Sequence, residues 1–565
     1  MTMDTNIDTR ITGPFQEFPD VSEWDAIIIG GGPNGMIAAA YLAKAGMKVV
    51  LVERRWEVGG GLSTEEILYP CYYSNVHIIY HMMVDYMPAL KDFNLDKHAI
   101  SWVRPNAQTA MVFEDGGSIL MSRMTADTKD SMSKYSWKDA NTFAKLMRKW
   151  KRVVDEIVAP ATYVPAASPM DLSIALEKTE VGREMLEMTE MTPYEIITQN
   201  FENDKIRALL LYISCMWGID PNESGLGFYV ALQLYRGVNK CYSYGGSHKL
   251  AGAFERVIVE NGGLVLEAAE ATKIIMENGK AAGIELAEGR TLKSPVIISS
   301  LDPHTTFLDL VGEEHLPGTL GESVKEWIYD KWSFHTLHLA SMEKPIYKKV
   351  DANGKPVKGY DNWVNDAFMV IFGVESTDQL LEHWKNVVGG RIDDNNFCGH
   401  ATCETTIDPH MTRWPGRQIS FFQMHAPYEI EGGWAKREPE INQAILDKWE
   451  RVAPGFTKND NILKMSGETP EDIAIRFPNM RKGSIKHGDY RPTQMNTFRP
   501  NLDCSGHKTP VEGLYICGAS SFPGGTLLGG PGYLAANRVA EDLGVTKWWK
   551  PTVEVEKFLK TYFEG

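Results

Sequence analysis

The sequence predicts an α/β fold in which a parallel, doubly wound sheet is split among distant stretches of the chain. An antiparallel-sheet domain and an inserted helical subdomain complete it. Three observations carry this reading. Residues 24–53 alternate strand, glycine-rich turn, helix and strand; residues 513–543 repeat a strand-to-helix glycine crossing near the other terminus; and helical periodicity fills much of the interval after residue 140.

The first stretch is the most informative. An apolar run, Ala26-Ile27-Ile28-Ile29, enters Gly30-x-Gly32-x-x-Gly35; a small-residue helical pattern follows to Lys44, and a second apolar run, Val49 to Val52, ends on Glu53. Together these form one βαβ unit of the Rossmann type. Gly30 permits the tight turn, Gly32 lets a pyrophosphate approach the backbone, and Gly35 lets the helix lie close to the strand. The helix amides then face the phosphates. Glu53, 18 residues beyond Gly35, is placed to accept the hydroxyls of an adenosine ribose and to repel a ribose phosphate. A chance glycine cluster would lack the flanking strands and the terminal acid.

The totals bound the rest. At 565 residues the chain has room for about three or four domains, and its net charge of -16 disfavours nucleic acid as a partner. No apolar run reaches the ~18 residues of a spanning helix, and residues 1–20 lack the pattern of a signal peptide. A cytoplasmic protein is expected. Seven cysteines without a Cys-x-x-Cys suggest free thiols. Cys398 and Cys403 share the spacing of a redox pair and flank His400. They lie far downstream of the glycine motif, so buried or idle thiols are expected rather than a disulfide or metal site.

Beyond Glu53 come Arg54-Arg55 and Gly59-Gly60-Gly61-Leu62-Ser63-Thr64-Glu65-Glu66. Consecutive glycines behind a nucleotide-binding βαβ unit suggest backbone passing against a further part of the ligand. With these residues the sequence resembles the phytoene desaturase-like, FAD-dependent oxidoreductases, which are related to the flavin amine oxidases. The resemblance implies FAD as cofactor. It places pyrophosphate, ribose and flavin contacts on Gly30, Gly32, Gly35, Glu53, the adjoining Arg54, Gly60 and Gly61.

The next segment contains His77-Ile78-Ile79-Tyr80-His81 and Asp85. If helical, it would align His77, His81 and Asp85 on one face. A metal is conceivable, hydrogen-bonded histidines are commoner, and a place on the substrate side of the flavin is a third option. His77 and His81 are therefore catalytic candidates, together with Tyr533.

Residues 140–158 form an amphipathic helix with Phe143, Met147, Trp150, Val153 and Ile157 on one stripe and Lys145, Arg148, Lys149, Lys151 and Arg152 opposite. That basic face suits a solvated surface and is compatible with peripheral membrane contact. The pattern stays mostly helical to Leu234. At Tyr244-Gly245-Gly246 the chain re-enters the cofactor domain, and the resemblance puts a backbone pair at Ala271 against the adenine. No second GxGxxG appears, so a separate nicotinamide domain is not expected.

Residues 332–498 carry β-type runs and are read as a substrate-side antiparallel sheet, with His487 and Arg499 as polar cleft candidates. The second anchor, Gly513 to Ala536, leads through Gly518 and a glycine-rich loop to a helix beginning at Pro531. The resemblance assigns Gly518, Leu528, Pro531, Gly532 and Tyr533 to the flavin, whose pyrimidine edge would face the positive helix end. Phe522 and Thr526 depart from the family pattern, so the flavin surroundings differ here. The aromatic tail after Lys547 suits packing or a subunit contact.

The expected organisation is FAD-binding parts at 21–100, 241–305 and 505–545, substrate-domain strands at 101–130, a helical subdomain at 131–240, the substrate domain at 306–504 and a tail at 546–565. The expected function is dehydrogenation of a hydrophobic or alicyclic small molecule by hydride transfer to the flavin N5. Oxygen, a quinone or another acceptor would complete the cycle. A flavin amine oxidase and a redox-neutral or non-catalytic flavoprotein are the alternatives, and a homo-oligomer is compatible with the sequence.

Overall fold

The computed structural model describes residues 23–347, 355, 357, 360–458, 460–525 and 529–564. The N-terminal stretch read for a leader lies outside the described residues.

The parallel sheet has five strands in the order Leu264–Leu266, Val49–Val52, Ala26–Ile29, Ile297–Ser299 and Leu514–Ile516. Three separated parts of the chain thus build one sheet, as expected. Both faces are covered, so neighbouring residues on one strand serve different cores. Ala26 and Ile28 face the helices Pro33–Lys44, His248–Glu260 and Gly530–Leu543. Ile27 and Ile29 face a three-stranded antiparallel sheet over residues 271–293, through Ile274, Ile284 and Leu292.

The second large sheet has seven strands. In spatial order they are Ile462–Glu468, Trp332–Ser341, Gln418–Pro427, Gly399–Cys403, Met369–Phe372, Ala107–Val112 and Ser118–Ser122. All pairings are antiparallel except that of Met369–Phe372 with Ala107–Val112. The longest pair runs from Trp332 opposite Pro427 to Ser341 opposite Gln418. Helix Trp434–Val452 covers one face, where Trp449 packs among Phe372, Phe422 and Phe456.

Helices between Thr125 and Gly237 form the inserted layer. Helix Trp137–Val153 begins where the Ser136 hydroxyl accepts the Asp139 amide hydrogen, and a π-turn over Val154–Val158 carries its buried stripe onward. Opposite that stripe, Lys149, Lys151 and Arg152 are ion-paired with Glu184, Asp155 and Glu156. Much of the basic face is therefore neutralised within the protein. Among the described residues no helix is long and apolar enough to cross a membrane.

The tail docks on the nucleotide side. Trp548 stacks on Tyr41, and Lys44 Nζ lies 3.6 Å from the Trp548 ring centroid. The expected packing role is thus satisfied within the chain.

The condition for aligning His77, His81 and Asp85 is not met. The segment with His77 and His81 is not helical: short strands at Ser74–Asn75 and His81–Met82 bracket an irregular stretch. His81 pairs with Cys241 across a small sheet, while Asp85 is exposed and held by Arg104 at 2.6 Å. Tertiary strand pairing has overridden helical spacing, and the three residues share no face. Among the described residues no group of three or more His, Cys, Asp or Glu is arranged for a metal ion.

Candidate active site

The site begins at the first helix. Gly30 has φ of +95°, the left-handed turn expected of it, and a β-carbon on Gly35 would come within 2.1 Å of the Gly30 carbonyl oxygen. Helix and strand therefore touch backbone to backbone. Gly32 is the opposite case. It caps the helix Pro33–Lys44 without any side-chain bond, and a β-carbon on it would meet nothing within 4 Å. It thus leaves open space beside the helix start, whose first-turn amides have no intrahelical partner. Gly60, with φ of +53°, closes the other side, so that its β-carbon would lie 3.2 Å from the Gly32 Cα.

Glu53 terminates the second strand. Its carboxylate accepts from the Gly31 and Arg55 amides, each at 2.8 Å, which fixes its direction. Burial pushes its pKa up, against the pull of these amides and the two arginines. Arg54 is exposed at the cleft edge, and Ala271, with Ala269 and Glu270, lines the same end.

The second glycine cluster meets the first. A β-carbon on Gly532 would fall 2.3 Å from the Asn34 carbonyl oxygen, and one on Gly518 would fall 2.5 Å from the Ser300 carbonyl oxygen. Ala519 and Gly525 reach the cleft wall, whereas Thr526 and Leu528 lie outside the described residues. Pro531 is buried with Gly532 in the first turn of helix Gly530–Leu543.

These parts frame one cleft of about 2010 Å³, its open mouth included. It runs from the glycine cradle past Gly61 and His77 to Tyr80, Trp217, Phe334, Lys486 and Tyr490. A bare adenosine would not need such length. Open space above Gly32, uncapped helix amides and a directed carboxylate at Glu53 fit the phosphates and ribose of FAD.

The polar candidates divide. His77 lines the cleft, its Nε2 has no hydrogen-bond partner among the described residues, and burial pushes its pKa down to about 3. It is a neutral imidazole set edge-on to Phe477. His81 is buried behind the wall against Trp102. Tyr533 turns into the core, with edge contacts to Tyr41 and Tyr163. Neither Tyr533 nor His81 is among the residues that line the cleft.

His487 lines the cleft, with its pKa pushed down to about 4 by burial. Arg499 does not. It is fully buried and donates to the carbonyls of Lys486 (2.8 Å), Ala519 (3.0 Å) and Gln494 (3.2 Å), holding the loops behind the wall. Cys398 and Cys403 are free thiols, the first in the core and the second near Thr405 and Gln418.

Sequence reasoning missed several wall residues. Lys486 Nζ sits 2.9 Å from Asp330, a buried pair flanked by the rings of Trp332 and Tyr490. Gln233 and Arg236 come from the helix Tyr229–Gly237, which is otherwise almost wholly apolar. That isolated polar pair, three residues apart, was the available signal.

A family model described as an NAD(P)-binding Rossmann-like domain matches residues 28–93. A limonene dehydrogenase chain of Castellaniella defragrans is 35% identical over 550 residues, covering 95% of this chain and 98% of that protein. The chain belongs to the phytoene desaturase-like family of FAD-dependent oxidoreductases. A chloroplastic prolycopene isomerase of Daucus carota is 24% identical over 93% of this oxidoreductase and 81% of its own length. Putrescine oxidase, at 12% identity and a TM-score of 0.57, covers 92% of this chain and 99% of its own, a likeness of fold. The cofactor is FAD, and the chain is an enzyme of the oxidoreductase class.

Proposed function

We propose that this oxidoreductase dehydrogenates a hydrophobic, cyclic small molecule, introducing a carbon–carbon double bond. The observation that carries the reading is the composition of the cleft beyond the glycine cradle: Ile79, Met82, Trp217, Phe334 and Ile485 supply broad apolar walls. The similarity to a limonene dehydrogenase chain supports the same substrate class. Gly30, Gly32, Gly60 and Gly61 would hold the phosphates, Glu53 the ribose, and residues 269–271 the adenine. When bound, FAD supplies the two-electron acceptor for the C–H bond.

The chain's own contribution is placement and exclusion of water. The apolar walls desolvate the substrate and hold its reacting carbon in one orientation. His77, neutral and unpartnered at the wall, is the catalytic candidate retained from the sequence. The loops bearing Lys486 and Ala519 are kept rigid by Arg499. An external acceptor, such as a quinone, completes the cycle.

The amine oxidase reading is disfavoured by charge. Arg236 presents in the cleft a cation with no acidic partner among the described residues, which repels an ammonium substrate. The test is turnover with an artificial dye acceptor against a panel of cyclic alkenes, with and without a carboxylate substituent, and primary amines. Dehydrogenated alkene products are expected, and turnover confined to amines would overturn the proposal.

A further inference from the structure

The cleft is lined by five basic side chains that differ sharply in their partners. Arg55 is paired with Glu65, Arg476 with Glu65 and Glu468, and Lys486 with Asp330. Arg54 is exposed to solvent. Arg236 remains. It is 4% exposed, and its Nε has no hydrogen-bond partner among the described residues. The titratable groups that act on it are Tyr80, Tyr163, Tyr229 and Tyr490, with no carboxylate among them.

Burying a guanidinium without a counter-charge or hydrogen bonds is costly, and folded proteins retain it where something binds there. Its neighbours share the defect. Gln233, one turn earlier on the helix Tyr229–Gly237, is 3% exposed with no partner for Oε1 among the described residues, and the Tyr80 hydroxyl and the Trp217 indole nitrogen are buried and likewise lack one there. All four residues line the cleft. Arginine, tyrosine and tryptophan supply donors, so the cluster is built for an oxygen acceptor. A planar guanidinium fork matches a carboxylate best.

We propose that Arg236, with Tyr80 and Trp217, binds a carboxylate on the substrate, so that this enzyme takes an amphiphilic cyclic acid rather than a pure hydrocarbon. The inference rests on the dehydrogenase reading above and narrows its substrate class. The apolar walls take the ring, and the donor cluster takes the acid, fixing which carbon meets the cofactor.

The test uses the flavin-loaded protein, with cyclohexanecarboxylate and the neutral, similarly shaped cyclohexanecarboxamide titrated against its visible absorbance. The carboxylate is expected to bind about tenfold tighter or more, the difference that ~1.4 kcal/mol of charge-assisted bonding yields. Arg236→Met is expected to erase that preference at unchanged flavin content. Trp217→Phe and Tyr80→Phe are expected to weaken it in part, and they decide the matter if Arg236→Met does not fold. Equal binding of the two probes by wild type overturns the proposal, as does a preference that survives Arg236→Met or loss of flavin from a folded Arg236→Met protein. The two readings fail separately. Reduction of the flavin by a neutral cyclic alkene as readily as by its carboxylate analogue removes this inference and leaves the dehydrogenase.

Discussion

Gly532, in the first turn of the C-terminal helix, lies against Asn34 at the start of the first helix, leaving no room for a β-carbon beside the Asn34 carbonyl oxygen. Two segments nearly 500 residues apart in sequence thus present their helix starts side by side. Gly532→Ala must push them apart, because the obstructing atom is backbone. The expected outcome is a lower melting temperature and faster loss of flavin on dilution, read together by flavin fluorescence during a thermal ramp.

Gly32 and Gly35 separate binding from folding. A β-carbon at 32 meets no protein atom within 4 Å, whereas one at 35 strikes the Gly30 carbonyl oxygen at 2.1 Å. Gly32→Val is therefore expected to fold and yet to retain no flavin, since the side chain fills the phosphate space. Gly35→Val is expected to yield little soluble protein. Circular dichroism together with flavin content distinguishes the two outcomes.

A buried acid away from the cleft gives a pH dependence. Glu404 is wholly buried, accepts from the Asn75 amide at 2.7 Å, and has its pKa pushed up to about 8 by burial. Between the unfolded value near 4.5 and about 8 the native chain holds a proton that the unfolded chain has released. The stability this group contributes is full at low pH and is lost as pH rises through that window, at up to about 1.4 kcal/mol per pH unit. Glu404→Gln keeps the amide contacts and removes the titration. Its denaturation midpoint relative to wild type is expected to rise between pH 5 and pH 8.

Arg499 holds the loops behind the cleft through its bonds to Lys486, Gln494 and Ala519. Arg499→Met leaves buried carbonyls unpaired, at a cost on the order of 3 kcal/mol. Urea unfolding is expected to show that loss, and kcat is expected to fall because Lys486 and Ala519 line the cleft.

Local signals carried the nucleotide-binding half of the molecule. Gly30, Gly32, Gly35 and Glu53 have conformations set by turn geometry and strand ends within one short segment, so their spacing could be read directly. The placing of His81 and Tyr533 away from the cleft lining was not legible, because the faces they occupy are decided by partners elsewhere: Cys241 pairs with the first, Tyr41 and Tyr163 surround the second. Lys486 and Arg236 left weaker traces. Their significance depends on whether an acid stands opposite, at Asp330 for one and at no described residue for the other, which is a matter of tertiary packing. The apolar helix around Gln233 and Arg236 held the clue without the context to interpret it.

The most direct measurement is the flavin released per chain when the purified wild-type protein is denatured and the dinucleotide identified. One FAD for each chain is the expected result. A well-folded, colourless protein that neither carries nor takes up FAD would contradict the convergence of the two glycine clusters on a single cofactor.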